Sequence, residues 1–115
     1  MAELRATLER FQLRVNDNAR VRALITGWDR TLVVRGTGPE DALAVRFEGG
    51  LVRDLRPAMA DEKAEVILHA ETRVLCDVFT GVANPAQEFL EGTLQVFASD
   101  RDQVKLDAIA LILWD

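Results

Sequence analysis

A chain of 115 residues, 49% apolar and 29% charged, has the length of one domain and the composition of one that buries a real core, which excludes a disordered segment. Its net charge of −5 is uneven: residues 1–35 carry seven arginines against four acids, and residues 36–115 carry seven basic residues against fifteen acids. An acidic body repels phosphate backbones and anionic lipid surfaces, so nucleic acid is excluded as a partner.

The longest apolar run, residues 108–114, has seven residues, whereas a membrane helix needs about 20; no integral membrane span is expected. Charge at Glu3 and Arg5 stands where a secretory leader needs its apolar stretch. Cys76 is the only cysteine, so no internal disulfide forms, in keeping with a cytoplasmic location.

In chain order, Leu4, Leu8, Phe11 and Val15 recur at helical spacing and predict an amphipathic helix. The Asn16-Asp17-Asn18 triplet ends it and caps a second helix through Val21, Leu24 and Ile25 to Gly27. Residues 31–35 read as a strand. Residues 36–41 form a loop in which Pro39, Glu40 and Asp41 make a turn. Leu43, Val45 and Phe47 then alternate with Ala44, Arg46 and Glu48 in a half-buried strand. The Gly49-Gly50 pair predicts a tight hairpin. A three-residue loop, Glu48 to Gly50, sets Leu51 and Leu55 on the face of Leu43, Val45 and Phe47, whereas a two-residue loop sets Arg46 against Arg53.

Residues 57–63 connect to a strand over 65–70, and a helix over 71–80 follows, with Val74, Leu75, Val78 and Phe79 on one side. Asn84 at the N-cap, Pro85 at the first helical position, Gln87 three after the cap and Gly92 at the end delimit the next helix. Residues 93–98 are a strand. Ser99 caps a last helix, Asp100 and Asp102 complement its dipole, and Val104, Ala108, Leu111 and Ile112 form its apolar stripe. The order is two helices, four strands, two helices, a strand and a helix. It predicts helices packed on one side of a mixed sheet.

Catalytic chemistry finds few residues to use. His69 is the only histidine, Ser99 the only serine, and tyrosine is absent. Ser99 reads as a helix cap rather than a triad nucleophile. Cys76 beside Leu75 reads as a small apolar residue rather than half of a thiolate–imidazole pair with His69. His69, Cys76 and Asp77 lack a further ligand at zinc spacing. The Gly36-Thr37-Gly38 triplet has Asp41 where a dinucleotide loop needs its third glycine. No catalytic residue, metal or cofactor is expected.

Gly81, Asn84, Pro85, Phe89, Gly92 and Leu94 fall without a gap on the pattern G-x-x-N-P-x-x-x-F-x-x-G-x-L, and Lys105-Leu106 follows at the spacing of a K-L pair. In these residues the chain resembles the sterol carrier protein 2 (SCP2) family from about residue 65 onward, and the Gly49-Gly50 hairpin is similar to the family's strand–turn–strand. Ala98 and Ser99 replace the family's G-D pair, and the peroxisomal tripeptide of the eukaryotic carriers is missing, which points to a stand-alone domain of bacterial type. The resemblance implies an α+β fold of about five strands in a mixed sheet, with helices around an apolar tunnel.

It also implies a lipid-like ligand, such as a sterol, fatty acyl chain, acyl-CoA or phospholipid, bound without catalysis. The alternative is an accessory protein that holds a hydrophobic intermediate such as a quinone precursor for partner enzymes. An enzyme acting on a hydrophobic substrate fits the residue inventory less well. The apolar faces of residues 74–79, 89–90 and 104–113 together exceed what a small sheet face needs, so an apolar cavity between sheet and helices is expected, with Phe79, Phe89, Val96, Leu106, Ile109 and Leu113 as its lining. Residues 108–114 are apolar on nearly every side, so the last helix either closes the tunnel mouth or packs on a second copy in a homodimer.

Overall fold

The computed structural model describes residues 3–38 and 41–114. Its elements follow the predicted order: α1 (Glu3–Asn16), α2 (Ala19–Ile25), β1 (Arg30–Arg35), β2 (Ala42–Glu48), β3 (Leu51–Pro57), β4 (Val66–Ala70), α3 (Thr72–Val78), α4 (Pro85–Glu91), β5 (Leu94–Phe97) and α5 (Asp100–Trp114). Pro39 and Glu40, in the predicted turn before β2, lie outside the described residues. No helix among those described is long and apolar enough to cross a membrane.

The five strands form one mixed sheet in the order β3-β2-β1-β4-β5. Only β1 and β4 run parallel, with Leu32 opposite Val66 and Val34 opposite Leu68. That pairing joins the N-terminal meander to the C-terminal half of the chain. The core lies on one face of the sheet, where Leu32, Val34, Val45, Phe47, Val66 and Leu68 meet α1, α2, α3 and α5. The α1 stripe packs as predicted, with Leu4, Leu8, Phe11 and Val15 all buried. Asn18 caps α2 through its side-chain oxygen, which accepts from the Arg20 and Val21 amides. At the sheet edge, the Asn16 side chain donates to the Val52 carbonyl at 3.0 Å and accepts from its amide at 2.8 Å. This satisfies backbone groups on an edge strand that would otherwise stay open.

The hairpin differs from the predicted loop. Glu48 pairs with Leu51, so the connection is the two-residue turn Gly49-Gly50. Both glycines have positive φ, 64° and 75°, which suits the primed turns whose twist matches the sheet. The expected clash of Arg46 with Arg53 is avoided by a β-bulge instead. The register shifts after Phe47–Val52, so that Arg46 faces Asp54 and Val45 faces Leu55. Leu55 therefore reaches its expected face, but Val52 rather than Leu51 is buried beside Phe47.

The last helix is turned relative to its predicted stripe. Val104 is 67% exposed and Leu111 55%, while Asp102, Ile109 and Leu113 are buried. The cause is a polar anchor. The Trp28 indole Nε1 donates to Asp102 Oδ1 at 2.7 Å, and Arg30 Nε donates to Asp102 Oδ2 at 3.2 Å. Seating this carboxylate against β1 rotates α5 onto the line Asp102, Leu106, Ile109, Leu113, which repeats at helical spacing.

Candidate functional site

The opposite half of α5 covers empty space. A cavity of about 300 Å³ opens between the β4–β5 end of the sheet, the end of α3, α4 and α5. Leu68, Leu94 and Val96 form its floor, Phe79 and Phe11 one wall, Phe89 and Leu90 the roof, and Leu106, Ile109 and Trp114 the far side. A cleft of about 420 Å³ adjoins it, and Pro85, Ala86, Asp107, Ala110 and Trp114 belong to both. The cavity thus opens outward between the start of α4 and the second half of α5.

The local sequence builds the roof. Asn84 Oδ1 accepts from the Gln87 amide at 3.1 Å, Pro85 opens the helix, and Gly92 ends it in the left-handed conformation, as the residue types predict. Yet α4 buries none of its residues. Phe89 is 42% exposed and Leu90 79%, although both border the cavity. Phe89 borders the cavity but stays exposed rather than packed in core.

Trp114 borders both the cavity and the cleft. It stacks on Phe11 with ring centroids 6.2 Å apart, and the Arg14 guanidinium lies 5.9 Å from its ring. Arg14 also donates to the Leu113 carbonyl at 2.8 Å, a cation at a helix C-terminus. Gly81 makes this seat possible: a Cβ there would come within 2.5 Å of Trp114 Cδ1. The Trp114 indole Nε1 is buried without a hydrogen-bond partner among the described residues.

Two polar side chains lie on the otherwise apolar wall, Gln103 and Asp107. Gln103 Nε2 donates to the Ala98 carbonyl at 3.3 Å. The Asp107 carboxylate has no salt bridge among the described residues, and burial raises its pKa above the ordinary carboxylate value.

Of the residues expected to line a cavity, Phe79, Phe89, Val96, Leu106 and Ile109 stand on its wall. Leu113 is buried in the core and is not among the residues that line the cavity. Missed from the sequence were Asp107, Trp114 and the cavity-facing Phe11. Trp114 had a signal in the family-pattern glycine Gly81, but its partner became visible only in three dimensions.

The groups weighed for catalysis stand on separate elements, His69 on β4, Cys76 on α3 and Ser99 just before α5. His69 is exposed, with Nδ1 3.2 Å from Gln95 Oε1, between the buried Leu68 and Ala70 that face the other way. Cys76 is buried, and burial raises its thiol pKa, which keeps it un-ionised. Ser99 Oγ accepts from the Asp102 amide at 3.2 Å, the predicted cap. No cluster of three metal-ligating side chains occurs among the described residues. A larger depression of about 540 Å³ lies at the other end of α5, but Arg30, Arg101, Asp100, Asp102 and Lys105 line it. Its charges are largely engaged, Asp102 with Trp28 and Arg30, and Lys105 with the Leu24 carbonyl at 3.1 Å.

No family model matches the chain, and no curated protein matches it in sequence. Solved structures do share its fold. A crystal structure of sterol carrier protein 2 superposes with a TM-score of 0.68 at 17% identity, over 92% of this chain and 88% of that one. A UbiJ-SCP2 ubiquinone synthesis protein gives 0.66 at 18% identity, over 91% and 85%. The sec-alkylsulfatase Pisa1 from Pseudomonas sp. gives 0.67 at 16% identity, over 91% of this chain but 15% of the enzyme. The chain has the sterol carrier protein 2 fold, an α+β architecture of five helices and a five-stranded mixed sheet.

Proposed function

We propose that the protein binds a lipid-like molecule in the cavity beneath α4 and α5 and carries or presents it without changing it chemically. The observation that carries this reading is a roof helix with no buried residue above an apolar cavity of about 300 Å³, a volume at the lower end of small-molecule sites. A bound alkyl chain would bury Phe89, which now stands 42% exposed. Each buried CH₂ contributes about 0.8 kcal/mol, so ten carbons supply a gross figure near 8 kcal/mol before the cost of association. Affinity of that kind needs no catalytic group. The structural uses of Ser99, Cys76 and His69 support the non-catalytic part of the reading. The likeness to a sterol carrier protein supports a lipid cargo, and the likeness to a ubiquinone synthesis protein supports an isoprenoid quinone precursor held for partner enzymes.

Native mass spectrometry of the purified protein tests the reading directly. A co-purified lipid mass is expected on the wild type. Ala110→Phe, which places a ring where the cavity meets the cleft, is expected to lose that mass with little change in melting. A wild-type protein that carries no lipid and takes up no decanol overturns the proposal.

A further inference from the structure

The cavity wall has a chemical bias at its opening. Gln103 and Asp107 are one helical turn apart on the same face of α5, and both border the cavity. One N–H of the Gln103 amide donates to the Ala98 carbonyl, which leaves its second N–H as a donor and its Oε1 as an acceptor. When ionised, the Asp107 carboxylate is an acceptor only. Among the described residues no lysine or arginine lines this cavity. A carboxylate or phosphate end group placed here would meet a like charge in a poorly solvated setting, with no cation to offset it. A hydroxyl end group would donate to Asp107 or Gln103 and satisfy both partners.

We propose that Asp107, supported by Gln103, is the specificity-determining residue of the cavity, and that it selects ligands whose polar end is an uncharged hydrogen-bond donor, a hydroxyl, over ligands ending in carboxylate or phosphate. The proposal rests on the lipid-binding reading above and names the class of ligand for that site. Selection works by penalty as much as by attraction, since the apolar part of the wall accepts either chain equally.

Titration calorimetry with decanol and decanoate at about pH 7.5 tests it. The wild type is expected to bind decanol at least about tenfold more tightly than decanoate. Part of that ratio is intrinsic to a charged ligand, so the variant decides. Asp107→Asn keeps the shape and removes the charge, and is expected to reduce the ratio at least about fivefold, through tighter decanoate binding. Asp61→Asn removes an equal charge from the exposed connection before β4 and is expected to leave the ratio unchanged. A wild type that binds decanoate as well as decanol overturns the selection while leaving the lipid reading intact, whether or not the variant folds. An unchanged ratio in a folded Asp107→Asn does the same. A wild type that binds neither ligand overturns the lipid reading and the selection with it.

Discussion

The two ends of α5 hold to the rest of the molecule by opposite means. At the N-terminal end, Ser99 caps the helix and the buried Asp102 joins the Trp28 indole and the Arg30 guanidinium. Every polar group brought inside there has a partner. At the C-terminal end, Trp114 lies over an apolar cavity with its indole N–H unpaired among the described residues, and the partly buried Asp107 has no salt bridge among them. One end fixes the helix, and the other leaves room beneath it. A satisfied polar anchor resists displacement because breaking it strands charges, whereas an unsatisfied one loses little when it moves.

The anchor is broken most severely by Asp102→Ala. It strands the Trp28 N–H and the Arg30 guanidinium, and urea denaturation is expected to show a loss of about 3 kcal/mol. Equal stability would mean that the anchor does not hold the helix.

At the other end, Gly81→Ala attacks the seat of Trp114. Gly81 has φ +83°, and the new Cβ would meet the indole ring. A loss of about 2 kcal/mol is expected from strained backbone and displaced ring together. In a Trp28→Phe background, where Trp114 is the only fluorophore, its emission should shift to the red. An unshifted spectrum would show that the ring keeps its place.

The two tryptophans give the sharpest contrast. Trp28→Phe removes a bonded N–H and leaves Asp102 short of a donor, at an expected cost of about 1.5 kcal/mol. Trp114→Phe removes an unpaired N–H along with some packing, and its net cost is expected to stay below about 0.5 kcal/mol. Matched melting curves of the two variants check the difference, and equal costs would erase the asymmetry between the ends.

The smallest effect is a pH dependence. Burial raises the Asp107 pKa from its ordinary 3.8, so the folded state holds this proton more tightly than the unfolded chain does. The resulting instability is absent below 3.8 and complete once the pH exceeds the raised value. Relative to Asp107→Asn, the wild type should therefore lose melting temperature as the pH rises through that window. A constant difference across the window would place Asp107 in full contact with water.

Much of this architecture is written locally. The α1 stripe, the Asn84, Pro85 and Gly92 punctuation of α4, and the Ser99 cap each depend on residues a few positions apart, so a linear reading captures them. The wall residues Phe79, Phe89, Val96, Leu106 and Ile109 follow from an excess of apolar helix faces over what the sheet needs, but apolar spacing cannot tell a residue that lines a cavity from one that packs in a core, and Leu113 fell on the wrong side of that line. The sequence offered two inward faces for α5, one through Val104 and Leu111 and one through Leu106, Ile109 and Leu113, and the anchor that chooses the second was not reachable. Asp102 looks from the sequence like a dipole complement in a first helical turn, and its partners Trp28 and Arg30 stand more than seventy positions away. Burial of a carboxylate depends on what the fold brings to it, and so does the hairpin, whose bulge places Asp54 rather than Arg53 opposite Arg46. The sequence by itself determined the elements, their order and their ends, since helix caps, turn glycines and apolar periods act over short range. Only the tertiary structure decided which face of α5 turns inward, where the cavity lies and which carboxylate borders it, because those follow from contacts between segments far apart in the chain.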